Sequence, residues 1–136
     1  MIVKFTIDGP PKGKGRPQFA RRGNRVIART PEKTASYEDL VRWCWKVQCG
    51  QSFPQGTPLR VEIRAFFPIP SSFSKKKRDA LKDTPHIKKP DADNVAKAVV
   101  DALNYLAFHD DSAICDLITI KRYSENPRVE VRIEEA

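Results

Sequence analysis

Val3, Phe5 and Ile7 alternate with Lys4 and Thr6, a period of two that predicts a half-buried strand ending at Asp8-Gly9-Pro10-Pro11. Gly13 to Gly23 follows as a basic loop or open hairpin, with Arg25-Val26-Ile27-Ala28 as a short returning strand. The period then changes. Between Pro31 and Gln48, Tyr37, Leu40, Val41, Cys44 and Val47 recur at helical spacing; Thr30-Pro31 suits a helix start and Gly50 a stop. Leu59, Val61, Ile63, Ala65 and Phe67 alternate with Arg60, Glu62 and Arg64, a strand closed by Pro68 and Pro70. Ser74 is placed to cap a short basic helix running through Leu81. A further helix is predicted from Asn94 to about Leu106. Two strands, Ile114 to Tyr123 and Arg128 to Ile133, flank Ser124-Glu125-Asn126-Pro127 as a predicted hairpin. The stretch from Pro68 to Pro90 is linker-like, and no segment repeats another. This alternation predicts the α/β (α+β) class, and 136 residues suit one domain with a single core.

The helix after Asp93 has two chemically different sides. Val95, Ala98, Val99, Ala102, Leu103 and Leu106 form an apolar stripe, while Asp93, Lys97, Asp101 and Asn104 line up opposite at spacings of four, four and three. The plain account of the polar side is a solvated face with Asp–Lys pairs, each worth about 0.2–0.5 kcal/mol. For Lys97 and Asp101 taken alone that account stands level with a functional one; Asp91 precedes Asp93, and Asp110-Asp111 follow the helix.

Charge sharpens the picture. The chain carries a formal +8, with 20 Lys/Arg against 7 Asp/Glu up to Pro90 and 5 against 10 from Asp91 onward. A basic surface facing a polyanion, with an acidic pocket for divalent cations set into it, would divide charge in this way. No apolar run approaches the roughly 20 residues of a membrane span, and the first residues lack a secretion signal, so the expected location is the cytoplasm. Cys44, Cys49 and Cys115 are odd in number and lack CxxC spacing, which argues against a disulfide framework or a zinc site.

Carboxylates collected beside lysines in a basic protein predict a Mg²⁺ site acting on phosphodiesters, since that chemistry depends on cations that neutralise developing charge. One of Asp91 and Asp93 can cap the helix, accepting backbone N–H bonds; the second needs another reason. If both lie on extended chain, their side chains project to one side and would repel unless a cation sat between them. Mg²⁺ takes two or three such oxygens and completes its shell with water and phosphate. Asp110 and Asp111 would be stranded by a 12-residue helix roughly 18 Å long, but return is possible if the helix ends near Asn104. Taken alone, that pair is better read as turn chemistry ahead of Ile114.

The run KKPDADNVAKAVVDALN, then FHDD and a strand, resembles the signature of the RusA family of Holliday-junction resolvases. GPPKGKGRPQF at Gly9 to Phe19 and SKKKRDAL at Ser74 to Leu81 also resemble that family, so the similarity extends through most of the chain. The sequence departs from it at Tyr105, where many relatives have Gly after Asn, and at Ala113, often Gln.

The resemblance implies a single domain over residues 1–136, a small mixed β-sheet packed by helices. It implies a homodimeric, Mg²⁺-dependent endodeoxyribonuclease, with Mn²⁺ as a substitute metal and no organic cofactor, that nicks four-way DNA junctions symmetrically in recombination and repair. By the same resemblance Asp91, Asp93 and Asp111 are catalytic metal ligands with Asp110 as their acidic neighbour, and Lys97 is the essential lysine. Lys12, Lys14, Arg16, Arg21 and Arg22, with Lys75, Lys76, Lys77 and Arg78, are the expected DNA-binding cations. Phe19 and Phe73 suit either base stacking or the core, and whichever of Trp43 and Trp45 faces outward suits a dimer interface. A non-catalytic DNA-binding protein, or a nuclease for flaps or forks, remains the alternative.

Overall fold

The structure, a computed structural model, describes residues 1–16 and 18–136, without the side chains of residues 18, 20 and 22. Its elements run β1 (Ile2–Asp8), β2 (Gln18–Arg22), β3 (Arg25–Arg29), α1 (Glu32–Gln48), β4 (Leu59–Pro68), α2 (Lys75–Leu81), α3 (Ala92–Leu103), β5 (Ile114–Ser124) and β6 (Arg128–Glu135). A four-stranded mixed sheet has the order β1-β6-β4-β5, and β2 and β3 form a separate two-stranded sheet. This is a single small α+β domain, as the alternation of periods predicts.

The period-two strands build one dry face. Val3, Phe5 and Ile7 of β1 lie beside Ile133, Val131 and Val129 of β6, which lie beside Val61, Ile63 and Ala65 of β4. All nine are buried, and Ile63 is fully enclosed, so its truncation to Ala would cost about 2–5 kcal/mol. The opposite face carries cross-strand partners of opposite charge, Arg60 with Glu134, Glu62 with Arg132 and Arg64 with Glu130. Helices α1 and α3 pack against each other, α1 meets β1 and α3 meets β5.

Two sequence expectations change here. The segments flanking Ser124 to Pro127 are strands, but they do not pair as a hairpin: β4 lies between them, parallel to β5 and antiparallel to β6. The sheet order makes β6 and β4 the two inner strands, and the long crossover through α2 and α3 permits the parallel pairing of β4 with β5. Helix α1 buries Thr34, Tyr37, Val41 and Trp45, a side rotated from the predicted stripe, leaving Leu40, Val47 and Trp43 outside, the last 65% exposed.

The linker-like stretch also has structure. Besides α2, capped by the Ser74 hydroxyl accepting from the Lys77 N–H, it covers part of β5's free edge. The Asp83 N–H donates to the Tyr123 carbonyl, the Tyr123 N–H to Thr84 and the His86 N–H to Lys121. Edge strands left open invite pairing with other chains, and this cover shortens the exposed part. No helix among the described residues is long and apolar enough to cross a membrane.

Candidate active site

Helix α3 starts two residues earlier than its apolar stripe suggests, which moves Asp91 to the N-cap and Asp93 into the first turn. The premise that both aspartates lie on extended chain therefore fails: Asp91 is extended at φ −64° and ψ 155°, whereas Asp93 is helical. Asp91 nevertheless does not cap with its side chain; its backbone carbonyl accepts the Val95 N–H, while its carboxylate makes no capping bond.

The helix also ends early, at Leu103, and this brings the acidic pair back. The Leu106 N–H donates to the Leu103 carbonyl, closing a tight turn through Asn104 and Tyr105. The Asn104 side-chain oxygen then accepts the Asp111 N–H at 3.0 Å, tying the start of the 3₁₀ turn Asp111–Ala113 to the end of α3. As a result Asp93, Lys97, Asp101 and Asp111 line one cavity of about 320 Å³, whose apolar wall is Ala96, Val100 and Leu117.

The ion pairs within this group are not those expected of a solvated helix face. Asp101 is taken by Lys14, whose ammonium lies 3.3 Å from Asp101 Oδ2 and 2.6 Å from Glu38 Oε1. Among the described residues, Lys97 pairs with neither Asp93 nor Asp101, and the carboxylates of Asp91, Asp93 and Asp111 are held by no cation. Carboxylates grouped without protein cations, beside a lysine without a carboxylate, leave their charge available to a ligand.

Asp110 has a different setting. The Ser112 hydroxyl donates to its carboxylate, which with the nearby backbone N–H groups holds it below the usual carboxylate range. It lines a separate cavity of about 840 Å³ with Tyr105, His109, Ser112 and Cys115. Asp91 lines neither cavity. Among the described residues no group of three or more His, Cys, Asp or Glu side chains is placed to hold a metal ion together. The donor chemistry still fits Mg²⁺, which commonly binds one or two carboxylates and fills the remaining positions with water and substrate phosphate.

The cations chosen for DNA contact divide into two groups. Lys12, Arg16, Arg21, Lys75, Lys76 and Lys77 are exposed, whereas Lys14 is half-buried in its carboxylate pair. Arg78 turns back to donate to the Pro70 carbonyl at 2.9 Å. The Arg22 side chain lies outside the described residues. Phe73 packs partly against the core and Phe19 is exposed on β2. Sequence reasoning gave no role to Glu38 or to the Asn104 amide; an Asn directly after a helix that must turn back was the available signal for the latter.

The chain matches the family Endodeoxyribonuclease RusA over residues 8–134. It is also similar to the uncharacterized protein YqaN of Bacillus subtilis (strain 168), at 36% identity over 137 residues covering 98% of this chain and 96% of the relative.

Proposed function

The chain belongs to the RusA endodeoxyribonuclease family, and from that premise we propose that it is a cytoplasmic Mg²⁺-dependent nuclease that resolves four-way DNA junctions by paired nicks during recombination and repair. The observation that carries this reading is the cavity shared by Asp93, Lys97 and Asp111, whose side chains are not neutralised by one another.

Asp93 and Asp111, which share the cavity, are the carboxylates that would hold the metal, with Asp91 at the head of α3, outside that cavity, as the further ligand we propose and Asp110 as the adjoining acidic group. Bound there, Mg²⁺ or substituting Mn²⁺ supplies Lewis acidity toward the scissile phosphate and a more acidic water. Lys97 sets its ammonium beside the phosphate, where negative charge develops as the attacking oxygen bonds. Asp101 does not compete for the metal, because Lys14 compensates its charge. Asn104 fixes the height of Asp111 relative to α3. One such site per chain makes one nick, so symmetrical cleavage calls for a homodimer, for which the exposed Trp43 offers an apolar contact.

The test compares a labelled synthetic four-way junction with a linear duplex, in Mg²⁺ and in EDTA, for wild type and Asp93→Asn. Paired symmetrical nicks on the junction alone, lost in EDTA and in Asp93→Asn while junction binding persists, are the expected result. Tight binding with no cut in any of several divalent metals would identify a DNA-binding module, and cleavage of flaps or forks instead would identify a related nuclease.

A further inference from the structure

The turn that follows α3 contains a residue ill suited to its backbone. Asn104 at φ −60° and ψ 135°, then Tyr105 at φ +64°, with the Leu106 N–H donating to the Leu103 carbonyl, describe a type II turn. Its third position favours glycine, because a side chain in the left-handed region is strained, most of all a bulky one. Burial does not offset that strain here, since Tyr105 is 75% exposed. Strain held in an exposed aromatic residue points to a use outside the fold.

Its position suggests the use. Tyr105 lines the cavity that also contains His109, Asp110 and Ser112, and the adjacent Asp111 belongs to the cavity of Asp93 and Lys97. The Asn104 amide joins the turn directly to the Asp111 N–H. The ring is therefore carried on the same hydrogen-bonded turn that sets Asp111, in the cavity that holds Asp110 rather than on a remote loop.

We propose that Tyr105 is a stacking platform for the nucleobase that flanks the scissile phosphate at the branch point, and so a residue that selects branched over continuous duplex DNA. The proposal rests on the DNA-nuclease reading. A base inside a continuous duplex keeps both faces covered by its neighbours, whereas a base at a branch can offer one face to a ring, and such stacking tolerates any base. A tyrosine presents that face with little rotational freedom to lose.

The experiment places 2-aminopurine, a fluorescent base, at the branch point of a four-way junction and titrates it in EDTA with wild type, Tyr105→Phe, Tyr105→Trp and Tyr105→Gly. Phe and Trp should keep the affinity and the quenching of emission. Gly should weaken junction binding by roughly tenfold, lose the quenching, leave duplex binding unchanged and melt no lower than wild type. Unchanged affinity and emission in Tyr105→Gly would overturn the proposal, and so would a lowered melting temperature, which would make the ring a structural element. Because no step requires cleavage, a protein that binds and does not cut still decides the matter. Failure of wild type to bind the junction would remove the parent reading together with this one.

Discussion

His86 lies flat on Phe67, with ring centroids 3.8 Å apart and 7° between planes, and meets the edge of Tyr123. Its Nδ1 is buried with no hydrogen-bond partner among the described residues. Burial, reinforced by the Lys121 and Lys88 ammonium groups, holds the imidazole below its usual value. The unfolded chain therefore takes up this proton first as pH falls. The stabilisation is complete above about pH 6.5, the ordinary histidine value, and is lost as pH drops through the lower folded value. His86→Phe keeps a flat ring on Phe67 and removes the titration, so its melting temperature should fall less than that of wild type between ~pH 7.5 and ~pH 5.5. Equal losses in both would show that His86 does not carry the acid sensitivity. At this scale the helical positions were readable: spacings of four put Asp93, Lys97 and Asp101 on one side of α3, and all three line one cavity. The position of Asp111 was not, because it depends on a turn whose glycine position is filled by Tyr105 and on an amide bond from Asn104.

The loop before β2 is fastened between two helices. Gly13 sits where an added Cβ would come within 2.6 Å of Pro90 Cβ, the Lys14 N–H donates to the Asn94 carbonyl at 2.9 Å, and the Gly15 N–H donates to Thr34 Oγ1 at 3.0 Å. Partial burial disfavours the Lys14 ammonium, but Glu38 and then Asp101 outweigh it, and the group's pKa is raised. Lys14 thus links α1, through Glu38, to α3, through Asp101. In a urea-melt cycle of Lys14→Ala, Asp101→Ala and the double variant, the two changes should be coupled by about 1 kcal/mol. Simple additivity would mean that the contact contributes nothing to docking. Gly13→Ala should destabilise by about 1–3 kcal/mol, as overpacking against a rigid ring does; unchanged stability would show that Pro90 can yield. Among the elements, those with one period and clear stops, β1, β4 and β6, could be read from sequence. Strand partners could not, because Ser124-Glu125-Asn126-Pro127 satisfies hairpin chemistry whether or not β4 lies between the strands it joins. The buried side of α1 was equally open, since Leu40, Trp43 and Val47 make a second apolar stripe beside Tyr37, Val41 and Trp45.

Over the whole molecule, the formal +8 is not evenly presented. The helix-free face of the sheet is internally balanced, with Arg64 paired to Glu62, Arg132 to Glu134 and Arg128 to Glu130. Excess positive charge therefore concentrates in the loop before β2, in the β2–β3 hairpin and in α2, where Lys12, Arg16, Arg21, Lys75, Lys76 and Lys77 are exposed. A polyanion is attracted to those segments and not to the outer sheet. If about six of these cations neutralise phosphates, the slope of log affinity against log salt is about −5, and junction affinity falls roughly 10³-fold between about 50 and 200 mM salt. Replacing Lys75, Lys76 and Lys77 together by Ala should flatten that slope by about 3, whereas Arg64→Ala, already paired with Glu62, should leave it unchanged. Lys14→Ala separates the two groups of cations: a lysine engaged with Glu38 and Asp101 releases no counterion when DNA binds, so its loss should leave the slope intact. A slope flattened by about 1 in Lys14→Ala would mean that DNA draws its ammonium out of the carboxylate pair, and a flat dependence in wild type would remove the basic segments from the binding surface altogether.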